Sequence, residues 1–246
     1  MWWIPFRAAR LTAHVIKGIV LTKSRGRRSD ESQAKLVREW HERLVQILQI
    51  KVVVRGCLPA STAHLWVANH ISWLDIPLLG SLAPRAVFVS KQEVRSWPVI
   101  GGLAAAAGTL FMQRGSGSNG ARNAISDGLA AGRHVVVFPE GTTTEGSVVK
   151  RFHARLFQSA IDAKAPILPI AIRYLAANGK LARAAAYIDD DHILGSFLRI
   201  LASRQLVAIV HVLEPIVIDA PIARDRLAAD ARARVLHAVQ HSNDHY

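Results

Sequence analysis

The chain has 246 residues, enough for one large domain with a substantial core and short for two. Half of it is hydrophobic and 20% is charged, which excludes an intrinsically disordered chain. Lys and Arg outnumber Asp and Glu 31 to 18, a formal net charge of +13, so the partners to weigh are nucleic acid, anionic membrane surfaces and anionic small molecules.

The first 28 residues hold seven basic side chains (Arg7, Arg10, Lys17, Lys23, Arg25, Arg27 and Arg28) and no acidic one. Arg7, Arg10, His14 and Lys17 recur at three- and four-residue steps, one stripe of a helix, while Trp2, Trp3, Ile4, Phe6, Leu11, Val15 and Ile19 cover most of the rest. A cationic stripe on an apolar helix led by tryptophans suits the headgroup boundary of a bilayer. The alternative is a helix packed on the protein's own core with an exposed basic face. A second helix is expected from about Ser32 to Leu48, with Leu36, Trp40, Leu44, Ile47 and Leu48 on one face. The run Lys23 to Arg28 is then the tip of a helical hairpin. Each basic residue there is worth about 1 kcal/mol near an anionic surface.

No run reaches the roughly 18 apolar residues of a spanning helix. The longest, Val99 to Met112, contains three glycines and reads as a core helix leading into a strand. Basic residues interrupt any apolar centre near the start, so no secretory leader is expected and the cytoplasm is the expected compartment. Cys57, the single cysteine, excludes an intrachain disulfide and a multi-cysteine zinc site; its simplest role is that of a small buried residue in a reducing compartment.

Beyond residue 50 short β-rich runs alternate with helical stretches. Strands are expected at Leu65 to Ala68, Arg85 to Val89, Thr109 to Met112, His134 to Phe138, Ile167 to Tyr174 and Leu206 to Ile218. Helices are expected around Ile76 to Gly80, Asn119 to Ala131, Phe152 to Ala163 and Arg224 to His241. This alternation predicts an α/β fold, a mixed β-sheet flanked by helices, preceded by the amphipathic two-helix membrane-docking motif. The division expected is a hairpin over residues 1–50 and a catalytic domain over 51–246.

His70 directly follows an apolar strand, where α/β sheets place ligands, and Asp75 stands five residues on. An imidazole with a carboxylate to fix its tautomer and stabilise the imidazolium has the elements of an oriented general base. On a regular helix the two would point about 140° apart, so the pair needs an intervening turn. Equally, Ser72 and Asp75 resemble a capping box ahead of Pro77.

Gly115 to Gly120 fits G-x-G-x-x-G after a strand, with Glu140 about twenty residues on. Gln113 and Arg114 intervene before the first glycine, and Glu140 belongs to its own loop, so a dinucleotide site is disfavoured. Ser-x-x-Lys occurs at Ser32/Lys35 and Ser147/Lys150 without a nucleophile elbow, and His41-Glu42 lacks the second histidine of a zinc helix. No metal site is expected.

Four blocks in order are more specific than any one of them: Asn69-His70…Asp75, Gly108 to Arg114, Phe138-Pro139-Glu140-Gly141-Thr142, and Ala165-Pro166-Ile167-Leu168-Pro169. This order closely resembles the glycerolipid acyltransferases, the family of 1-acylglycerol-3-phosphate acyltransferases. The resemblance implies that His70 is the base and Asp75 its partner. It also implies that Phe111, Arg114, Glu140, Gly141 and Thr142 hold the acyl acceptor and its phosphate, while Pro166 and Pro169 shape the fold. Lys91 is a further candidate anion contact, or a solvated lysine. Many relatives continue the third block with Arg or another residue followed by Ser, whereas Thr143 and Thr144 follow here, which weakens the case for a phosphate-bearing acceptor. The stretches Ile71 to Pro77 and Ala186 to Asp191 also resemble a bacterial branch that includes lyso-ornithine lipid acyltransferases.

The expected reaction is acyl transfer from acyl-CoA or acyl carrier protein, with no cofactor, to the free hydroxyl of a lysolipid. The leading acceptor is 1-acylglycerol-3-phosphate, giving phosphatidic acid; the alternative is lyso-ornithine lipid. Such an enzyme works at anionic membrane lipids, on the cytoplasmic face of a bacterial inner membrane. A basic nucleic-acid-binding module and a non-enzymatic membrane-surface protein are the rivals from other classes. The densest basic cluster sits at the tip of an amphipathic hairpin and not along a recognition helix, which argues against nucleic acid.

Overall fold

Leu65-Trp66-Val67-Ala68 carries no polar residue, the pattern of a strand covered on both faces. In the computed structural model these residues form β2 (Leu65–Ala68), buried throughout, at the middle of a seven-stranded sheet. The structure describes residues 3–23, 28–59, 62–83, 85–112, 117–188 and 191–241, without the side chains of 117–119.

The described residues run α1 (Trp3–Thr22), α2 (Asp30–Ile47), β1 (Ile50–Arg55), β2, α3 (Asp75–Leu82), β3 (Val87–Lys91), α4 (Gln92–Arg95), α5 (Ile100–Ala106), β4 (Leu110–Met112), α6 (Gly117–Ala130), β5 (Val135–Val137), a 3₁₀ turn (Ala154–Phe157), α7 (Gln158–Ala163), β6 (Ile167–Leu175), α8 (Ile193–Ala202), β7 (Leu206–Val212) and α9 (Arg224–His241). The strand order is β1-β7-β6-β2-β5-β3-β4. Strands β6, β2, β5, β3 and β4 are parallel to one another, β7 is antiparallel to β6, and β1 is parallel to β7, so the sheet is mixed. The five parallel strands therefore end on one common edge.

Alternation along the strands builds two apolar layers. Trp66, Ala68 and Ile170 face Leu44, Val45, Leu78, Leu79 and Ile200 of α2, α3 and α8. Leu65, Val67 and Val137 face Ile125, Phe157, Leu227 and Val235 on the other side. Gly80 lets α2 and α3 touch: a Cβ there would stand 2.3 Å from Nδ1 of His41.

Three elements escape the sequence pattern, the one-turn α4 among them. β1 follows α2 almost at once, the turn being made at Gln49 with φ +55, so no Gly or Pro marks it. α8 follows a loop without a capping side chain at His192. The stretch expected as a helix from Phe152 opens as a 3₁₀ turn before α7. Cys57 is exposed and not buried as expected, because it lies in the loop leaving β1.

The hairpin helices form, but the basic stripe of α1 does not face outward as a whole: Lys17 is exposed and Arg10 half-buried, while Arg7 and His14 turn inward. Arg7 is 1% exposed. Its guanidinium donates to Leu201 O at 2.7 Å, Ser203 O at 2.8 Å and Leu48 O, the unpaired carbonyls at the ends of α8 and α2. His14 is also buried, with Nε2 3.0 Å from Trp40 O and its ring stacked on that indole. Trp3 is half-buried beneath Arg204, 3.6 Å from its ring, while Trp2 lies outside the described residues, as do most of the residues of the tip. The exposed face carries Phe6, Ile16, Ile19 and Val20 beside Lys17. Among the described residues no helix is long and apolar enough to cross a membrane.

Candidate active site

His70 leaves the end of β2, and Asp75 opens α3, where a carboxylate can satisfy the unpaired N–H groups of a helix start. The turn between them brings the pair together: His70 Nδ1 lies 2.7 Å from Asp75 Oδ2. The same oxygen accepts the N–H groups of Ile71 at 2.7 Å and Ser72 at 3.0 Å. Asp75 thus makes its half of the expected capping box through the Ser72 N–H, while Ser72 Oγ has no partner among the described residues and α3 has no side-chain cap at Leu74. With Nδ1 committed to the carboxylate, Nε2 is the nitrogen left to accept a proton. The His70 side chain is 20% exposed, whereas that of Asp75 is fully enclosed.

Three groups outside the expected set complete the pair. Tyr174, at the end of β6, donates its hydroxyl to Asp75 Oδ1 at 2.9 Å. Burial, with the Asp75 charge beside it, pushes the Tyr174 hydroxyl well above its ordinary range and keeps it a neutral donor. Phe138, at the end of β5, stacks on the His70 ring with centroids 4.0 Å apart and planes 13° apart. Asn69 donates to Ile172 O at 3.0 Å and accepts from Ile172 N at 2.7 Å, so its amide prolongs the pairing of β2 with β6 past the last strand residue. Asn69 and Phe138 stand in the quoted sequence blocks. Tyr174 had no local signal beyond its place at a strand end.

Glu140 was expected on the acceptor; in the structure its carboxylate serves the backbone. It is 4% exposed. Oε1 accepts the His70 N–H at 2.8 Å and Oε2 the Lys150 N–H at 2.6 Å. Burial raises the Glu140 carboxyl above its usual range, and these two amides pull against that rise. Gly141 turns the chain at φ +69, where its N–H bonds Phe138 O at 3.1 Å and an added Cβ would stand 3.1 Å from His153 Nε2. Thr142 is exposed beside it. Thr143 gives its hydroxyl to Tyr187 O, and Tyr187 N in turn bonds Ile71 O at 2.9 Å.

Lys91 ends β3 and is exposed; Phe111 lies in β4, half-buried, with the Arg95 guanidinium 5.7 Å from its ring. Both stand on the edge that carries His70, two and three strands away, roughly 10 and 14 Å at the usual strand spacing. Arg114 lies outside the described residues. Pro166 and Pro169 belong to the entry of β6: Pro166 O accepts from Leu65 N at 2.9 Å, and Pro169 O from Leu213 N at 3.1 Å. Among the described residues no group of three His, Cys, Asp or Glu side chains could hold a metal ion.

A general base held by a buried carboxylate can activate a hydroxyl for attack on a carbonyl. The lyso-ornithine lipid O-acyltransferase of Pseudomonas aeruginosa is 45% identical over 74% of this chain and 70% of its own length. The 1-acyl-sn-glycerol-3-phosphate acyltransferase of Neisseria gonorrhoeae is 42% identical over 51% of this chain and 49% of its own. Among solved structures, the 1-acyl-sn-glycerophosphate (LPA) acyltransferase PlsC from Thermotoga maritima has a similar fold, with a TM-score of 0.71 at 20% identity over 99% of this chain and 97% of that one. The acyltransferase family model matches residues 49–173, from β1 into β6 and across both halves of the His70 site, and the chain belongs to the acyltransferase family.

Proposed function

We propose that the protein transfers a fatty acyl group from a thioester, acyl-CoA or acyl carrier protein, to the free hydroxyl of a lysolipid, with His70 as the general base. The observation that carries this reading is the 2.7 Å contact of His70 Nδ1 with Asp75, which leaves Nε2 open at the strand edge. Nε2 takes the hydroxyl proton as the oxygen attacks the thioester carbonyl. The C–S bond then breaks, and the imidazolium returns its proton to the departing thiolate. Free ester and thiol result without an acyl-enzyme. Asp75 stabilises the imidazolium, Phe138 fixes the ring plane, and Glu140 holds the His70 backbone as a positioning residue. Gly141, Thr142, Lys91, Phe111 and Arg114 are the groups proposed to meet the acceptor.

The acceptor we propose is lyso-ornithine lipid, ahead of 1-acylglycerol-3-phosphate. The relative of that name matches over a longer share of this chain than the glycerophosphate enzyme does, and the Thr143 that follows the Phe138 to Thr142 block carries no charge for a phosphate. A lysolipid panel with acyl-CoA, following thiol release, tests both readings. Lyso-ornithine lipid should give the highest kcat/KM; preference for 1-acylglycerol-3-phosphate reverses the order, and no thiol release with any lysolipid overturns the reaction. His70→Ala should cost at least about 10²-fold in turnover.

Residues 1–50 are proposed to dock the catalytic domain, 51–246, on the cytoplasmic face of an anionic membrane. The support is the exposed apolar face of α1, with Lys17 exposed and Arg10 partly exposed beside it, and Leu194 and Leu198 exposed on α8, against which α1 packs. Ile16→Asp with Val20→Asp should abolish co-sedimentation with anionic vesicles, and undiminished co-sedimentation would remove α1 as the anchor.

A further inference from the structure

The sheet has a second concave feature at the edge opposite His70. A cavity of about 370 Å³ lies where the start of α2, the end of α3, the entry to β3 and the end of α5 meet. That volume falls in the range of small-molecule sites, about 300–1,000 Å³. Leu65, Val135 and Val87 stand in register at this edge, and the five residues from Leu65 to His70 span roughly 16 Å of extended chain. The cavity is therefore separate from the catalytic pair.

Four arginines from four segments line it: Arg28 ahead of α2, Arg38 within α2, Arg85 ahead of β3 and Arg133 ahead of β5. Asp30 is the one carboxylate in the lining. Arg38 shares its charge with Glu42 at 2.7 Å, and Arg28 Nη1 approaches Leu21 O at 3.4 Å. Arg85 and Arg133 form no ion pair with any described residue. Arg85 is moreover held at φ +57, a left-handed conformation that non-glycine residues avoid. Gln33 adds an acceptor: its amide nitrogen donates to Ala106 O at 3.2 Å, and its Oε1 is buried without a partner. Val37, Ala83 and Ala106 supply apolar wall between the charges.

Like charges brought into one concavity repel unless an anion joins them. Guanidinium forks match phosphate oxygens two at a time, and several forks around one cavity suit a group with more than one negative charge. We propose that this cavity binds a phosphate-bearing anion, supplied either by the headgroup of an anionic phospholipid or by a soluble phosphate ester. Arg28 and Arg38 come from the hairpin, Arg85 and Arg133 from the catalytic domain, so the bound anion ties the two together. The proposal stands apart from the acyl-transfer reading, because none of these residues belongs to the His70 site.

The test uses the full chain carrying His70→Ala, which removes turnover and retains the cavity. Binding of inorganic pyrophosphate, and of dihexanoyl phosphatidic acid below its micelle concentration, is measured by calorimetric titration and by thermal shift, with sodium chloride at matched ionic strength as control. Binding of pyrophosphate assigns the soluble source, binding of the phosphatidic acid alone assigns the lipid source, and either is expected to weaken at least tenfold in Arg85→Gln/Arg133→Gln. Arg133→Gln alone, which leaves the strained position untouched, is expected to weaken it about threefold and serves if the double variant fails to fold. With His70 restored, the same substitutions leave thiol release unchanged. Equal binding by variant and parent, or no binding of either probe beyond the salt control, overturns the site.

Discussion

Replacing Asp75 by Asn isolates the charge on the carboxylate from its hydrogen bonds. The Asn oxygen can keep the three donors now on Oδ2, from His70, Ile71 and Ser72, while the amide nitrogen turns to the Tyr174 oxygen, which can accept. The imidazole keeps its tautomer and its plane. What is lost is the negative charge next to the imidazolium that forms during proton transfer. With charge centres about 4 Å apart and an effective dielectric constant of about 20, that attraction is worth about 4 kcal/mol, or roughly 10³-fold in rate. Asp75→Asn should therefore lower kcat by about 10³ in a thiol-release assay at saturating acyl-CoA and lysolipid, with both KM values within about twofold of the parent. A folded Asn variant that turns over within tenfold of the parent would refute the role of the charge. Asp75→Ala is the poorer probe, since it strands two backbone donors in the core, each at a cost of about 1–3 kcal/mol.

Tyr174→Phe removes one neutral donor from the buried carboxylate and should lower kcat by about tenfold with little change in KM; unchanged kcat would make the hydroxyl merely structural. Glu140→Gln leaves an amide that can accept from only one of the His70 and Lys150 N–H groups, so it should cost about 1–3 kcal/mol of stability in urea titration and lower kcat. A rise in acceptor KM alone would instead return Glu140 to the substrate. Gly80→Ala drives a methyl group into His41 and should destabilise the chain by about 1–3 kcal/mol, measured as a lower urea midpoint; an unchanged midpoint would mean that α2 and α3 can part without cost. Burial pulls His41 and His134 down to about 4, below the roughly 6.5 of an unfolded chain. Both are neutral in the folded protein, so their contribution is complete above pH 6.5 and is lost as the pH falls towards 4. Each should remove about 2 kcal/mol between pH 7 and pH 5, and equal urea midpoints at the two pH values would contradict the burial argument.

Much of the layered domain was legible because its strands are short and nearly all apolar. Leu65 to Ala68 and Ile167 to Tyr174 can be placed by that pattern alone, and their flanking helices follow from the change of period. β1 was not, since its apolar run abuts a helix with only Gln49 to mark the turn. The contact of His70 with Asp75 could be read because it is local, five residues bridged by one turn. Tyr174 could not, because its meeting with Asp75 joins positions 99 residues apart and exists only once β6 lies beside β2. The contacts of Glu140 were not legible: a sequence motif marks a carboxylate, not whether it faces a ligand or a backbone amide. For α1, periodicity identified the stripe of Arg7, Arg10, His14 and Lys17. It could not show that Arg7 and His14 turn inward while Lys17 stays exposed, since charge ordinarily points to water and only tertiary contacts disclose that Arg7 is sealed over helix ends.

That sealed arginine also sets an order of events during synthesis. Most of its carbonyl partners lie about 195 residues further along the chain, at Ile200, Leu201 and Ser203. At a ribosomal pace of about 5–20 residues per second, α1 emerges roughly 10–40 s before those partners exist. For that interval its guanidinium is solvated and its greasy flank uncovered. α1 is thus made long before it can be locked, and in that interval it is free to meet a nearby lipid surface before the sheet carrying His70 has closed.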